Sequence, residues 1–100
     1  MTYSFLPEAE VEYLRAIRFY EDQRPGLGAR LIAEFEHAIA FAIEHPQAAR
    51  SIPGFDIRRV DLARFPYAIF LRHGATDTLR VTAFAHHRRR PGYWSIRIVP

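Results

Sequence analysis

The stretch "AIRFYEDQRPGLGARLIAEFEHAI" at residues 16–39 decides the fold, because a helix-breaking segment divides two helical patterns in it. Pro7 suits the first position of a helix, and an amphipathic helix is predicted over residues 7–23. A second helix is predicted over residues 27–45, ended by Pro46. The apolar residues at helical spacing are Ala9, Tyr13, Ala16, Ile17 and Tyr20 in the first helix, and Leu31, Ile32, Phe35, Ala38, Ile39, Ala42 and Ile43 in the second. So short a break between two helices predicts an antiparallel hairpin.

Outside the hairpin the hydrophobic pattern is that of strands. "YSFL" at residues 3–6 predicts a short first strand, and three further strands are predicted over residues 56–63, 66–72 and 78–86. Consecutive strands with short links favour an antiparallel meander. The predicted fold is α+β, with an N-terminal strand and a helical hairpin packed on one face of an antiparallel sheet of three to four strands. A chain of 100 residues has room for one core, so residues 1–100 are expected to form one domain.

Alternation along the last strand assigns its side chains to two faces of the sheet. The side predicted to face the helices carries Leu79, Val81, Ala83 and Ala85, and the other side carries Arg80, Thr82, Phe84 and His86. The second face is either solvated or covered by a partner. Phe70 and Phe84 favour a covering partner, because they would otherwise form an exposed apolar patch.

Charge is distributed unevenly along the chain. All 14 basic residues are arginine, and residues 46–100 hold ten of them against three acids, whereas residues 1–45 hold four against eight acids. The guanidinium group suits phosphates and carboxylates. The second half of the chain is therefore predicted to meet an anionic partner.

Several kinds of chemistry are not supported by the sequence. It has no cysteine, which excludes disulfides and thiolate metal sites. Gly-rich phosphate loops, GxSxG elbows and HExxH helices are absent. His86 and His87 are neighbours on a predicted strand and would point to opposite faces, so we expect neither a metal nor a cofactor. No apolar run is long enough to span a membrane, and we expect a cytoplasmic protein without a membrane partner.

The tail "HHRRRPGYWSIR" at residues 86–97 allows two interpretations. Arginines interleaved with aromatic rings suit nucleic acid, since guanidinium pairs with phosphate and rings stack on bases. Alternatively, Tyr93 and Trp94 fold back to close the core while Arg88, Arg89 and Arg90 face water. Composition alone does not decide between them.

Taken in order, residues 16–39, "FPYAIFLR" at residues 65–72 and "VTAFAHHRRRPGYW" at residues 81–94 resemble the RelE/ParE superfamily of bacterial type II toxin–antitoxin modules. The pattern His-x-Arg-Arg-x-Pro-x-Tyr-Trp from His86 to Trp94 is typical of its ParE-like, plasmid-stabilisation branch. The resemblance implies a growth-arresting toxin that a cognate antitoxin protein holds inactive. It also implies that operator DNA is an indirect partner, bound through the antitoxin.

Members of this superfamily differ in mechanism. RelE-like toxins cut messenger RNA in the ribosome and use basic side chains on the sheet to do so. The resemblance aligns those basic positions of the family with Arg59, Asp61 and Ala68 of this sequence. Two of these three positions are not basic. The only ribonuclease candidates are Arg59, His86, Arg88 and Tyr93. ParE-like toxins inhibit DNA gyrase instead, so the resemblance favours a non-enzymatic gyrase inhibitor.

Two alternatives to gyrase inhibition remain, a ribosome-dependent mRNA endonuclease and a non-toxic nucleic-acid-binding module. In each case the same surface would be used. The residues predicted to contact the target or the antitoxin are Arg59, Phe70, Arg80, Phe84, His86, Arg88, Arg89, Tyr93, Trp94 and Arg97.

Overall fold

The order of elements confirms the predicted α+β fold and both helices. The computed structural model describes residues 2–74 and 77–98. Its elements are β1 (Thr2–Phe5), α1 (Pro7–Gln23), α2 (Leu27–Glu44), β2 (Arg50–Ser51), β3 (Arg58–Asp61), β4 (Tyr67–His73), β5 (Thr78–His86) and a C-terminal 3-10 helix (Tyr93–Ile98).

The sheet has five strands in the order β1-β5-β4-β3-β2, one more than the upper limit predicted. β5, β4, β3 and β2 pair antiparallel to one another, as expected of a meander. β1 instead pairs parallel to β5, so the sheet is mixed rather than purely antiparallel. β2 has only two residues, too few to show an alternating pattern in the sequence.

The close approach of α1 and α2 depends on Gly28. Its N–H donates to Glu21 Oε1 over 3.0 Å, and the N–H of Gly26 donates to the same carboxylate over 3.1 Å. Glu21 of α1 thereby satisfies free amide groups at the start of α2. A Cβ at position 28 would lie 2.9 Å from Glu21 Oε1 and 3.1 Å from the carbonyl oxygen of Ile17, so a larger residue would displace the carboxylate and push the helices slightly apart.

The main core fills the space between the hairpin and one face of the sheet, which we call the front face. Phe35 of α2 is fully buried and packs against Tyr13 of α1, with ring centroids 4.3 Å apart. Phe84 of β5 packs edge-on to Tyr13 at 5.2 Å and stacks on Tyr67 at 4.7 Å. These aromatic contacts attach the hairpin to β4 and β5.

A β-bulge in β5 changes which side chains face the helices. Phe70 pairs with Ala83 and Leu71 with Val81, so Thr82 is an extra residue without a partner on β4. The extra residue reverses the alternation beyond it. Leu79 and Val81 face the helices as predicted, but the assignment is wrong from Ala83 onwards. Phe84 packs in the main core, while Ala83 and Ala85 lie on the opposite, back face.

A second, smaller core covers the back face of the sheet. Trp94 of the 3-10 helix packs on Phe70 with ring centroids 5.0 Å apart, and both side chains are buried. The other buried members are Ile57, Ala68, Ala83 and Ala85. The predicted exposed patch of Phe70 and Phe84 is therefore wrong, because one is covered by the tail and the other by the hairpin. The tail folds back onto the core, as in the second interpretation of its sequence.

Candidate functional site

Glu12 joins three parts of the chain at the open edge of β5. β1 pairs with β5 only as far as Val81. Beyond Val81, the backbone N–H and C=O groups on this edge of β5 have no partner strand in the described chain. The carboxylate of Glu12 accepts hydrogen bonds from the N–H of Phe84 at 3.1 Å, the hydroxyl of Tyr93 at 2.7 Å and the guanidinium of Arg97 at 2.8 and 3.0 Å. Arg97 also donates to the carbonyl oxygen of Thr82 at 3.1 Å. The tail is thus tied to α1 and to β5.

These contacts set the protonation states of the cluster. Partial burial raises the pKa of Glu12, but the hydrogen bonds from Arg97, Tyr93 and Phe84 outweigh it, and the net pKa lies below its usual value. Burial, and then the neighbouring carboxylate of Glu12, raise the pKa of Tyr93. The hydrogen bond to Glu12 raises the pKa of Arg97. At neutral pH the cluster therefore consists of a carboxylate, a neutral phenol and a guanidinium.

A cleft of about 90 Å³ lies between the tail and the end of the sheet, and we call it the tail cleft. Its floor is apolar and belongs to the second core. Its rim is basic. Lining residues include Arg59, Ala68, Phe70, His86, His87, Arg89, Arg90, Tyr93 and Trp94.

Arg59 and Arg89 of the tail cleft are held by neighbouring groups. Arg59 lies 5.6 Å from the ring centroid of Phe70 and donates to Asp61 Oδ1 at 2.8 Å. Asp61 also lies 3.3 Å from Nε2 of His87. The guanidinium of Arg89 lies 3.9 Å from the ring centroid of Tyr93, a cation–π contact. The carboxylate of Asp61 thus offsets part of the positive charge of this rim.

His86 is fixed by the turn that follows β5. Its Nδ1 accepts a hydrogen bond from the N–H of Arg88 at 3.0 Å, and its ring packs edge-on to Tyr67 at 5.1 Å. An Nδ1 that accepts leaves Nε2 to carry the proton of the neutral ring. The side chain of Arg88 lies outside the lining of the tail cleft.

Six of the ten predicted contact residues meet at the tail cleft: Arg59, Phe70, His86, Arg89, Tyr93 and Trp94. Phe84 lies in the main core instead, and Arg97 is bound to Glu12. Arg80 is exposed near the other end of β5. Glu12 is not among the predicted residues, since an acid in the second turn of a helix has the same sequence pattern whether it faces solvent or a distant arginine.

Two further properties concern only the part of the chain that the structure describes. In residues 2–74 and 77–98, His, Cys, Asp and Glu side chains do not cluster in groups of three or more that could hold a metal ion. Over the same residues, neither helix has the length and apolar character needed to cross a membrane.

The hairpin, the mixed sheet and the basic cleft beside the C-terminal helix together define a small α+β protein. Among solved structures, the fold is similar to a chain of the chromosomal ParDE TA system from P. aeruginosa. The TM-score is 0.71 at 12% identity, and the match covers 86% of this chain and 95% of that one. At this identity the similarity concerns the fold.

The family follows from the sequence. Residues 3–91 match the family model described as ParE toxin of type II toxin-antitoxin system, parDE. The chain belongs to this family of toxins, and its fold agrees with that assignment. A search of curated proteins finds no match.

Proposed function

We propose that this ParE-type toxin is neutralised by a cognate antitoxin and that it arrests growth by inhibiting DNA gyrase, without catalysing a reaction itself. The family match supports the first part, because toxins of type II modules are paired with an antitoxin. The resemblance to the ParE-like branch supports gyrase as the target. The interior of a bacterial cell, where gyrase acts, is the expected location.

The observation that carries the non-enzymatic part is the state of Tyr93 in the tail cleft. Its hydroxyl donates to Glu12 at 2.7 Å, and burial beside that carboxylate raises its pKa. A general acid or base works best when its pKa lies near the operating pH. Tyr93 is therefore poorly suited to move a proton to or from a ribose or a phosphate.

Two neighbouring positions support the same conclusion. Arg59 is paired with Asp61 at 2.8 Å, which adds negative charge where a scissile phosphate would lie. Ala68 is buried in the floor of the cleft, where a RelE-like nuclease is expected to carry an arginine. A basic, aromatic cleft in which Tyr93 is bound to Glu12 and Arg59 to Asp61 suits contact with a protein target.

One observation favours the ribonuclease alternative. His86, Arg89 and Arg90 line the same cleft, and imidazole is the most common general acid–base group in enzymes. The third candidate, a non-toxic nucleic-acid-binding module, depends on the ten arginines of residues 46–100. The experiment below distinguishes all three.

The exposed apolar side chains indicate where an antitoxin would bind. Five of the large exposed ones lie on the hairpin: Val11, Leu14, Phe19, Ile32 and Phe41. An antitoxin segment that covers the hairpin would bury them, and burial of apolar area stabilises such a complex. Operator DNA would then be bound through the antitoxin rather than by this chain.

Induced expression in a bacterial host tests the proposal. We expect growth arrest that is relieved when the small gene adjacent to this one in its genome is expressed at the same time. Arrested cells should form filaments and accumulate DNA breaks, with messenger RNA intact. Cleaved messenger RNA with intact DNA would establish the ribonuclease alternative. Unaffected growth, with salt-dependent binding of the purified chain to nucleic acid, would establish the binding module.

A further inference from the structure

Two arginines face each other on the back face of the sheet, away from the tail cleft. Arg72 of β4 and Arg80 of β5 are direct cross-strand partners. Side chains in such positions start about 5 Å apart, and like charges there are destabilising. Both arginines are exposed, and within residues 2–74 and 77–98 neither guanidinium group has a hydrogen bond or an ion pair.

The side chain of Thr82 is adjacent to this pair and is fully buried. Its Oγ1 has no hydrogen-bond partner in the described chain. A buried hydroxyl without a partner costs about 1–3 kcal/mol, so an empty site of this kind is unfavourable. Thr82 is also the extra residue of the β-bulge, and bulges commonly lie next to functional sites.

Thr82, Arg72 and Arg80 line one cleft of about 370 Å³, which we call the arginine cleft. Leu6 and Ile98 add apolar surface to its walls, and among the described residues the lining has no acidic member. Arg97 reaches it too, but Glu12 already pairs with that guanidinium at 2.8 Å. Two unpaired positive charges and one unpaired hydroxyl therefore meet in the same place.

We propose that the arginine cleft is a phosphate-binding site. Guanidinium groups bind phosphate oxygens through pairs of charge-assisted hydrogen bonds, and two of them on neighbouring strands can hold two edges of one tetrahedral anion. The hydroxyl of Thr82 is buried beside the pair, and rotation about its Cα–Cβ bond would let it donate to the bound anion. The bound charge would also remove the repulsion between Arg72 and Arg80.

The site is separate from the tail cleft and does not depend on the proposed function. His86 of the tail cleft lies six positions after Arg80 on the same strand, which is about 20 Å at about 3.3 Å per residue. The phosphate could come from a free ion or nucleotide, or from the backbone of a nucleic acid. Both sources present the same oxygens to the cleft.

Amide NMR titrations of the full chain with inorganic phosphate and with a short single-stranded oligonucleotide test the proposal. We expect phosphate to shift the amide signals of Arg72 and of residues 79–82, and the double variant R72Q/R80Q to weaken binding at least tenfold. The matched control R50Q/R64Q removes two exposed arginines elsewhere and should bind phosphate like the parent. The variant Thr82→Val keeps the shape of the side chain, and we expect it to bind phosphate severalfold more weakly with an unchanged or higher Tm.

Shifts of these amide signals with the oligonucleotide would identify the phosphates of a nucleic-acid backbone as the ligand. Shifts with inorganic phosphate alone would identify a free phosphate anion as the ligand. Either result supports the site. Absence of binding in both titrations would overturn it, as would equal losses in R72Q/R80Q and R50Q/R64Q, since only net charge would then matter. Unchanged phosphate binding by Thr82→Val would overturn the site as described.

Discussion

At the scale of single residues, Glu12 connects α1 to β5 and to the C-terminal 3-10 helix. It accepts four hydrogen bonds, from Phe84, Tyr93 and Arg97. Its ion pair with Arg97 is largely shielded from solvent, with side chains 15% and 13% exposed. Hydrogen bonds to charged, part-buried groups are stronger than those at the surface. Glu12 therefore determines the position of the tail and of one wall of the tail cleft.

Glu12→Gln should lower the free energy of unfolding by about 2 kcal/mol at pH 7, because Gln cannot accept from all of these donors. The folded state lowers the pKa of Glu12, so its contribution is complete above the ordinary value of about 4.3 and is lost as the pH falls through the lower, folded pKa. Urea unfolding from pH 7 to pH 3 should show the difference between parent and variant shrinking towards low pH.

Glu10→Gln is the matched control for this measurement. Glu10 is exposed on the same helix, and its substitution should change the stability by less than about 0.5 kcal/mol. A difference between parent and Glu12→Gln that stays constant over the whole pH range would show that the charge of Glu12 is not what stabilises the tail.

Trp94 was predicted to contact the target or the antitoxin, but its side chain is only 3% exposed and belongs to the second core. Trp94→Ala should destabilise the chain by about 3–5 kcal/mol, because it empties the centre of the second core. Arg88→Ala, at an exposed neighbour in sequence, should change the stability by less than about 0.5 kcal/mol. Thermal unfolding of both variants checks this, and equal melting temperatures would contradict the buried position of Trp94.

At the scale of elements, the helices were predictable and the sheet only partly. α1 and α2 agree with the predicted ranges to within one residue, because their apolar stripes, Pro7 and Pro46 are local signals. β5 also agrees in its limits. The assignment of β5 side chains to the two faces of the sheet was wrong beyond Thr82. The β-bulge at Thr82 causes this error, and a run of strand-forming residues carries no sequence signal for a bulge. Parallel pairing of β1 joins residues far apart in sequence, which alternation cannot show.

The helix–helix contact gives a prediction at this scale. Gly28→Ala should lower the free energy of unfolding by about 1–3 kcal/mol, since its methyl group would lie 2.9 Å from Glu21 Oε1. Gly74→Ala is the control, because a Cβ there meets no atom of residues 2–74 and 77–98 closer than 3.4 Å. Urea unfolding measures both. Equal stability of the two variants would show that the hairpin can open slightly to admit a methyl group.

At the scale of the whole molecule, the candidate site was predictable from charge but not in detail. The basic second half and the aromatic tail do meet in one cleft, as the sequence indicated. The acid that ties the tail down comes from the acidic first half, 85 positions away from Arg97. Such a pairing requires knowledge of the tertiary fold.

The antitoxin surface gives a prediction on this scale. Leu14 and Phe41 are 56% and 47% exposed on the hairpin. The double variant L14E/F41E should remain folded and toxic but should lose at least tenfold in affinity for the antitoxin, measured by calorimetry. Ile96→Glu is the control, because Ile96 is 79% exposed on the tail rather than on the hairpin. A larger loss in the control would place the antitoxin on the tail instead.

The most direct test of the central claim is a cleavage assay with purified gyrase, supercoiled plasmid and the refolded or antitoxin-free chain. We predict accumulation of linear plasmid with its ends bound to gyrase, and no cleavage of messenger RNA when the same preparation is added to a translating extract. Cleavage of ribosome-bound messenger RNA together with normal gyrase activity would contradict the account.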